Sequence, residues 1–500
     1  MDVICLSRGS IIIIGAGVAG MSAGCYAQMN GYKTAVYEMH NKPGGLCTSW
    51  KRNGFTMDYS IHNLAGTAKN SGMHRIWDEL GALQDTQIIN HEEFVRVESP
   101  DGRTFSVYPD LDKLVEEMKG ISPNDSDVID EYARAVRGFS SLDLFNMPLG
   151  GMRRKLGMLM HMRAMLKWSK VSMSEFATQF KDPFLSKAFK LIQYDSPDAP
   201  MLVNLAFIAG LDCGDLGWPK GGSLGFARNI EGRYLGLGGT IQYGARVSKI
   251  LLEEDRAVGV RLTDGTEHFA NIVISAADGY ETIFGMLGNR YSNDQISAYY
   301  QKEWPFSQEF GLQVAFGVDR DLRCEPHSIA LMLDRPIIIE GIERTVLDLE
   351  LFPGSSGLAP SGKGIIKVVI KSDYDHWKKL KAEGTYKTYK AEVARQIIER
   401  LETRFPGLRN EIEMIDVSTP LTMERYTGNF RGLQAWMPKK GFTKVLRKGL
   451  SRTLPGLENF YMVGHWSMAT IGLGTAALSG RKTIQAICKQ DRRRFITSTI

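Results

Sequence analysis

A glycine-rich turn near the start of the chain combines residues suited to binding a nucleotide. The segment IIIIGAGVAG (residues 11–20) joins a run of isoleucines to Gly15, Gly17 and Gly20. A short β-branched run is typical of a strand buried on both faces of a parallel sheet. In such a turn the first glycine permits the sharp bend, the second admits a diphosphate, and the third lets helix and strand pack closely. The pattern predicts a dinucleotide site.

The next residues supply the helix and the second strand that such a site needs. A helix is predicted over residues 21–30, followed by a strand at KTAVYE (residues 33–38). The amide groups at the start of the helix, beside Val18 and Ala19, would point at the phosphates. Glu38 lies 23 positions after Gly15, where an acid can accept hydrogen bonds from both ribose hydroxyls and would repel a 2′-phosphate.

A second pair of glycines favours a resident flavin over a nicotinamide cofactor. Gly44 and Gly45 offer another approach free of side chains, and Lys42, Lys51 and Arg52 supply positive charge nearby. Only one GxGxxG stands between a predicted strand and helix, whereas a flavoenzyme that also held NAD(P) in its own domain would be expected to carry another. FAD is therefore the predicted cofactor.

These motifs resemble those of the FAD-dependent oxidoreductases that include phytoene desaturases, carotenoid isomerases and retinol saturase. The N-terminal pattern of that family is matched by Gly15, Gly17, Gly20, Glu38, Gly44, Gly45, Phe55 and Asp58. Residues 218–250 are similar to the central PKGG helix, glycine turn and strand of the family, and the resemblance implies that Val247 contacts the adenine side of FAD. Residues 419–429 resemble the segment that precedes the last FAD-binding strand.

Residues 460–481, FYMVGHWSMATIGLGTAALSGR, are similar to the C-terminal FAD motif of the same family. They predict a strand at 460–463 and a helix at 475–489 whose positive N-terminus stabilises the reduced flavin ring. The resemblance implies cofactor contacts at Gly464, His465, Gly472, Gly474 and Thr475. Two positions depart from the pattern. Leu46 stands where many relatives have an arginine, and His465 stands where many have an acid.

The fold predicted from these features is α/β, with a Rossmann-like, glutathione-reductase-like FAD-binding domain and an inserted α+β substrate domain. The substrate domain is expected to contain a mixed sheet, because residues 94–110 alternate around a Pro-Asp-Gly turn and predict a hairpin, and residues 309–319 and 364–373 predict further strands. Residues 110–215 are expected to be mainly helical. The expected FAD-binding segments are 1–90, 216–290 and 446–500. The expected substrate segments are 91–215, with a helical lid or membrane-facing region, and 291–445.

The resemblance implies an enzyme that desaturates, saturates or isomerises carbon–carbon bonds of a long apolar isoprenoid, carotenoid or retinoid. It fixes neither the direction of the reaction nor the electron donor or acceptor. An amine-oxidase-like flavoenzyme and a non-catalytic flavin-binding scaffold remain as alternatives, because a shared fold alone does not define an activity.

No catalytic acid or base is assigned by the sequence, although His62 and His465 are candidates because they fall in segments expected near the flavin. Tyr426 and Trp436 are candidates for the wall of the cavity, or simply pack. The sequence contains no GxSxG, no HExxH and no cluster with metal-ligand spacing, so a metal site is not predicted.

The segment 152–170 is strongly basic, with six cations and no acid, and residues 147–173 hold seven of the 22 methionines. It predicts either a peripheral membrane contact that admits an apolar substrate or a core-packed helix with solvated cations. The formal charge of +5 argues against a nucleic-acid binder. Six scattered cysteines, and the lack of a signal peptide or membrane-spanning run, favour a cytoplasmic protein, peripheral at the membrane surface in the first case.

Overall fold

The structure is a computed structural model that describes residues 8–140, 162–193, 197–300, 306–309, 311–433, 435–438, 451–464, 467 and 472–498. Its strands are β1 (Arg8–Ile14), β2 (Tyr32–Tyr37), β3 (Ser49–Arg52), β4 (Phe55–Asp58), β5 (Leu64–Ala65), β6 (Ile88–Ile89), β7 (Val95–Glu98), β8 (Thr104–Val107), β9 (Leu216–Pro219), β10 (Thr240–Gln242), β11 (Val247–Glu253), β12 (Arg256–Leu262), β13 (Glu267–Phe269), β14 (Ile272–Ser275), β15 (Phe306–Glu309), β16 (Leu312–Val318), β17 (Ser328–Ile339), β18 (Ile342–Pro353), β19 (Gly364–Ile370), β20 (Ile412–Ser418), β21 (Ala435–Pro438) and β22 (Phe460–Met462).

Helices occur at both ends of the chain and in two groups between the strands. They are α1 (Val18–Met29), α2 (Gly72–Glu79), α3 (Leu111–Ile121), α4 (Ser126–Ser140), α5 (162–168), α6 (Met173–Ala177), α7 (Pro183–Phe189), α8 (Met201–Asp212), α9 (Gly222–Gly236), α10 (Asp294–Tyr299), α11 (Tyr374–Ala382), α12 (Tyr386–Arg404), α13 (Leu408–Glu411), α14 (Pro420–Thr427) and α15 (Leu473–Gln490).

A five-stranded parallel sheet, in the order β10-β2-β1-β14-β22, forms the half of the molecule that carries the glycine turn. Strand β1 lies inside this sheet, where Ile11 faces Thr34 on one side and Ile272 on the other. Ile11 to Ile14 are buried, as a β-branched run in a parallel sheet requires. The strands come from three distant stretches of chain, and the predicted Rossmann-like α/β fold is confirmed.

Helix α1 begins three residues earlier than predicted. Gly17 is its N-cap residue, with φ of −68°, so the helix includes Val18 to Gly20 and ends before Gly31, whose φ is +80°. Strand β2 ends at Tyr37, and Glu38 is the first residue beyond it. The glycine spacing predicted the position of the turn correctly. It did not give the first residue of the helix, because helices and loops both tolerate the small residues that follow Gly17.

Two glycines let α1 approach its neighbouring helices closely. A Cβ atom placed on Gly480 of α15 would lie 2.6 Å from the backbone nitrogen of Ala23, and one on Gly24 would lie 2.6 Å from the ring of Tyr234 in α9. The hydroxyl of Ser22 also donates a hydrogen bond to the carbonyl oxygen of Ala477, at 2.7 Å. Helices from the beginning, middle and end of the chain therefore meet around α1.

A second, seven-stranded sheet has the order β20-β16-β19-β18-β17-β7-β8. Its neighbouring strands are antiparallel except for β17 and β7, so the mixed sheet of the prediction is confirmed. The predicted hairpin at 94–110 is the β7–β8 pair. The long β17–β18 hairpin was not predicted.

The two faces of the seven-stranded sheet pack against different parts of the protein. One face contributes Phe316, Leu349 and Val368 to a core with α11 and α12. The opposite face packs at one end against the nucleotide-binding half, through Ala315, Phe352 and Ile365. At its other end that face contributes Ala330, Met332 and Val346 to the core of the helical region α3–α8.

The helical region matches the prediction for residues 110–215 wherever the structure describes them. Its core is rich in aromatic side chains, including Phe176, Phe189 and Tyr132, whose ring centroids lie 5.3 to 6.0 Å apart. A search of the described helices finds none with both the length and the apolar character needed to cross a bilayer.

The contact between α1 and α15 gives a prediction for stability. We expect Gly480→Val to lower the free energy of unfolding by about 3 kcal/mol, because the added atoms collide with rigid backbone of α1. Gly232→Ala is a matched control, since Gly232 lies inside helix α9 and its Cβ would meet no atom within 4 Å. The control should gain about 0.5 to 1 kcal/mol from its lower backbone entropy in the unfolded state. Urea denaturation measures both, and equal stabilities would contradict the packing described.

Candidate functional site

A cavity of about 1500 Å³ opens at the carboxyl ends of β1 and β2. Its wall on the side of the parallel sheet includes Gly15, Gly17, Glu38 and Gly45. Ligands of open α/β sheets bind at the carboxyl ends of the strands, where the order of the strands reverses. Here β1 is followed on one side by β2 and on the other by β14. The cavity therefore lies where a dinucleotide is expected.

Three of the predicted glycines are required by the protein itself. Gly15 and Gly44 have φ of +98° and +108°, in the region that favours glycine. A Cβ atom on Gly20 would lie 2.1 Å from the carbonyl oxygen of Gly15. The amide of Gly15 donates to the carbonyl oxygen of Tyr37 at 2.8 Å, so the bend is held by the neighbouring strand.

Gly17 has no such requirement. Its φ of −68° is open to any residue, and an added Cβ would meet only the carbonyl oxygen of Gly44, at 4.0 Å. The space beside it belongs to the cavity. A glycine needed neither for its conformation nor for protein packing is explained by a ligand that approaches the backbone closely. The residues present therefore fit a bound diphosphate.

The first turn of α1 adds unpaired backbone donors at the same place. The first intrahelical hydrogen bond runs from the amide of Met21 to the carbonyl oxygen of Gly17, at 2.9 Å. The amides of Val18 and Ala19 precede it and lack a partner within the helix. No side chain caps the helix, and its positive end attracts an anion.

Glu38 has a structural task as well as a place in the cavity wall. Its two carboxylate oxygens accept hydrogen bonds from the backbone amides of Ala16, at 2.7 Å, and His40, at 2.8 Å. Burial raises the pKa of this carboxyl, and these amides oppose the rise. Each carboxylate oxygen has a second lone pair available for a ribose hydroxyl. Glu38 thus ties the glycine turn to the end of β2 and still faces the cavity.

The second pair of glycines completes the near wall. The amide of Gly44 donates to the carbonyl oxygen of Ala16 at 2.9 Å, and this places Gly45, with φ of +60°, at the cavity. Leu46 is half-buried and does not line the cavity in the described part of the chain. Val247, at the start of β11, is buried and lines it from the next strand pair.

Asp278 is a cavity residue that the sequence analysis missed. It follows β14, as Glu38 follows β2, and its Oδ1 accepts hydrogen bonds from the backbone amides of Tyr280, at 2.8 Å, and Glu281, at 3.1 Å. Burial raises its pKa to about 6, against the backbone amides of Phe430, Glu281 and Tyr280. The sequence did offer a signal for this residue, because Asp278 is an acid that shortly follows the apolar stretch of β14.

The far wall of the cavity is basic, which the sequence analysis also missed. Lys381, Lys390, Arg395, Arg409 and Arg425, from α11 to α14, line it and outnumber the acids Glu399, Asp416 and Glu424 that line it there. Lys42, Lys51 and Arg52 line the near side, as the nearby charge predicted from the sequence. Some of these cations are neutralised, since Arg395 pairs with Glu392 at 2.6 Å and Arg52 contacts Asp416. The remaining positive charge favours a diphosphate.

The C-terminal candidates gather at the start of α15. Gly464 and Gly472 have φ of +117° and +107°, and the amide of Gly464 donates to the hydroxyl of Ser479 at 2.8 Å. Gly474 lies against Met73, whose Cε would be 2.8 Å from an added Cβ, and Thr475 is buried. None of these four lines the cavity that the described residues form. His465 lies outside the described residues.

The other candidates are separated in the structure. Tyr426 lines the cavity and is 47% exposed. Trp436 belongs to β21, and its side chain lies outside the described part of the structure. His62 is not among the cavity residues but contacts the carboxylate of Glu350 in the seven-stranded sheet. Among the described residues, no group of three or more acidic, histidine or cysteine side chains could hold a metal ion.

Comparison with known proteins identifies the relatives of the chain. Residues 13–80 match the model of an NAD(P)-binding Rossmann-like domain. A chloroplastic prolycopene isomerase of Arabidopsis thaliana is 26% identical and covers 94% of this chain and 81% of its own length. The all-trans-retinol 13,14-reductase of Danio rerio is 24% identical and covers 91% of this chain and 82% of its own length. A lycopene-forming phytoene desaturase of Paracoccus sp. is 26% identical and covers 61% of this chain and 62% of its own length.

The chain is thus similar, in two of these cases over more than nine tenths of its length, to prolycopene isomerase, retinol 13,14-reductase and phytoene desaturase, and the resemblance predicted from the sequence motifs is confirmed. The Rossmann-like match shows that a dinucleotide is the kind of cofactor the chain binds. A putrescine oxidase bound to putrescine shares the fold, with a TM-score of 0.59, 14% identity and coverage of 96% of this chain and 99% of its own. At that identity the likeness shows the fold alone.

The open position of Gly17 gives a test of the dinucleotide site. Threonine caps helices about as well as glycine, so we expect Gly17→Thr to keep the stability of the chain. Its side chain would occupy the space left for the diphosphate. Affinity for FAD should fall about tenfold or more, which corresponds to about 1.4 kcal/mol, as measured by flavin fluorescence titration. Gly232→Ala is the control, and unchanged FAD affinity in Gly17→Thr would refute this placement.

Proposed function

We propose that the chain is an FAD-dependent oxidoreductase that acts on carbon–carbon double bonds of a long apolar isoprenoid, carotenoid or retinoid. The observation that carries this proposal is the near full-length similarity to a prolycopene isomerase and a retinol reductase, joined by a phytoene desaturase. The three names share one substrate chemistry, an isoprenoid with carbon–carbon double bonds. An apolar small molecule is therefore the substrate class.

The geometry around Gly17 supports FAD as the cofactor. In this proposal the amides of Val18 and Ala19 hold the diphosphate, Glu38 holds the ribose, and Val247 packs on the adenine side. The N-terminus of α15, near Gly472, lies at the pyrimidine edge of the flavin, where a positive helix end stabilises negative charge. Bound FAD supplies hydride exchange with a substrate carbon.

We also propose the two-part domain arrangement expected from the sequence. Segments 1–90, 216–290 and 446–500 form the FAD-binding domain, which fits the origin of the parallel strands in three stretches of chain. Segments 91–215 and 291–445 form the substrate domain, which fits the helical core and the seven-stranded sheet. An apolar substrate would lie between these parts, where it is shielded from water.

A peripheral membrane contact through 152–170 remains part of the proposal. Of this segment the structure describes residues 162–170, where Met162 and Leu166 are 41% and 43% exposed and lie one helical turn apart. Lys167 instead pairs with Glu131, with 2.9 Å between Nζ and Oε1. The exposed apolar pair supports a membrane contact, while the paired lysine supports the alternative of a packed helix with solvated cations.

The proposed activity predicts conversion of polyenes but not of amines. Protein reconstituted with FAD should change the chromatographic and absorption pattern of at least one of prolycopene, phytoene and all-trans-retinol in liposomes. The assay is run with oxidised and with anaerobically reduced flavin, because the direction depends on the redox state. Gly17→Thr serves as the cofactor-deficient control.

Two other outcomes separate the alternatives. Hydrogen peroxide formed from putrescine, with all three polyenes unchanged, would favour the amine-oxidase-like reading. A bound flavin that neither bleaches nor reoxidises with any of these compounds would favour the scaffold.

A further inference from the structure

The face of the seven-stranded sheet that meets the rest of the protein is apolar at both ends and polar in its middle. Glu350 on β18 lies directly opposite Lys367 on β19 in the register of the sheet. Gln313 on β16 belongs to the same polar strip, and its amide donates to the carbonyl oxygen of Tyr59 at 3.2 Å. The strip lies between the core of the nucleotide-binding half and the core of the helical region. It therefore occupies the junction where a substrate held between the two parts would lie.

The charged side chains of this strip form one connected network. The ammonium group of Lys367 is 2.5 Å from Glu350 Oε2 and donates to the backbone oxygen of Asp58 at 3.2 Å. Oε1 of Glu350 contacts Nδ1 of His62. The Asp58 carboxylate accepts hydrogen bonds from the amide and the hydroxyl of Ser223, at 2.8 and 3.1 Å. The network thus joins β4, β18, β19 and the start of α9.

Burying these charges is costly, and their mutual attraction offsets the cost only in part. The side chains of Glu350 and Lys367 are 1% and 4% exposed. Burial alone would raise the pKa of Glu350, but His62 and Lys367 hold it well below its usual range, so the carboxylate stays charged. An apolar pair would serve the stability of the sheet as well. A charged network retained at a domain junction marks a candidate site of proton chemistry.

The other titratable groups around the network differ from His62. His327 and His91 stack with ring centroids 3.8 Å apart, and burial lowers the pKa of His327 to about 4 and that of His91 to about 3. Both are therefore neutral at pH 7. Burial raises the pKa of Asp58 to about 6, against the charge of Lys367. The side chain of His62 is 13% exposed. It is therefore more accessible than the side chains of Glu350 and Lys367.

The chain after His62 leads toward the expected flavin end of the cofactor. It continues into β5, and Gly66 then packs under Trp77 and Met73 of α2, with an added Cβ only 2.5 Å from Trp77 Nε1 and 2.7 Å from Met73 Cγ. Met73 in turn packs on Gly474 in the first turn of α15. The loop that carries His62 therefore lies between the polar strip and the N-terminus of α15.

We propose that His62 is the acid–base group that exchanges a proton with the substrate, and that Glu350 and Lys367 are the residues that position and charge it. The inference rests on the proposed function. One substrate carbon exchanges a hydride, and with it an electron pair, with the flavin of the proposed function. The adjacent carbon then exchanges only a proton, and its partner is the imidazole of His62. In saturation the imidazolium loses that proton and regains one from solvent. In desaturation the neutral imidazole accepts it and releases it to solvent.

The test combines a proton readout with activity. His62→Asn keeps a donor for Glu350 but cannot take up or release a proton as an imidazole does. With whichever of the three polyenes the wild type converts, its rate should fall about 10²-fold or more, while FAD affinity and thermal stability stay unchanged. If that reaction is a saturation in D₂O, each product molecule should carry one solvent deuterium, and the variant should form this deuterated product about 10²-fold more slowly than the wild type. His376→Asn, on α11, is the control for loss of a histidine.

If Glu350 and Lys367 set the charge of His62, removing one or the other should move the pH of proton uptake by His62 in opposite directions. NMR of the ¹³C-labelled imidazole measures this pH without any substrate. Glu350→Gln removes the negative charge, so the pH at which His62 takes up its proton should fall. Lys367→Met removes the competing cation, so that pH should rise, and the pH profile of activity should move with it. If either single variant fails to fold, the neutral double variant E350Q/K367M removes both charges and should lower the pH of proton uptake relative to wild type.

The outcomes separate this proposal from the proposed function. If the wild type converts a polyene and His62→Asn converts it equally fast with the same deuterium content, the assignment of His62 is wrong and the enzyme class stands. A titration of His62 that moves in the same direction in both single variants would overturn the roles of Glu350 and Lys367. If the wild type converts no polyene, the proposed function fails, whatever the imidazole titration shows.

Discussion

Close backbone contact around α1 is the constraint on which the rest of the structure depends. The helix can lie against α15 because Gly480 has no side chain, and against α9 because Gly24 leaves room for Tyr234. These contacts fix the axis of α1 and therefore the direction in which its N-terminal amides point. The site opposite Gly17 is thus set by packing on the far side of the helix, because packed interiors transmit small displacements rather than absorbing them.

The nucleotide half and the seven-stranded sheet present different charged and polar groups to the molecules they would bind. The nucleotide half presents backbone amides, and α11 to α14 beside the seven-stranded sheet present the basic far wall. Both suit a ligand that carries negative charge. The sheet half presents apolar ends and a single charged strip, which suits an apolar molecule that must still exchange a proton. Ser223 connects the two, because it starts α9 next to the nucleotide half and also holds the Asp58 carboxylate.

The features that could be predicted from the sequence are those encoded by neighbouring residues. Ile11 to Gly20 specify a strand, a turn and the start of a helix within a short stretch. The β7–β8 hairpin was predicted from its Pro-Asp-Gly turn. The C-terminal strand and helix were likewise predicted, with ends that differ by one or two residues from β22 and α15. Local pattern and spacing suffice in these cases because the interactions are local.

The features that could not be predicted depend on register between distant strands. His62 was a candidate, but Glu350 lies 288 positions further along the chain and reaches it only through the pairing of β18 with β19. The cations of the far wall were hidden for a related reason, because Lys390 and Arg395 read as the ordinary solvated face of α12. Glu38 was expected to contact a ribose, and its bonds to Ala16 and His40 show in addition why the turn keeps its shape.

The order of strands in the parallel sheet has a consequence for biosynthesis. Strand β14 has an unpaired edge until Phe460 to Met462 have been made, and α1 lacks its partner α15 until later still. By then the strands of the seven-stranded sheet have all been translated, so the parallel sheet is completed after it. The nascent chain must carry an open sheet edge while the residues between β14 and β22 are translated, a state prone to aggregation. The parallel sheet and the packing of α1 against α15 can therefore be completed only once residues 460–490 have been made.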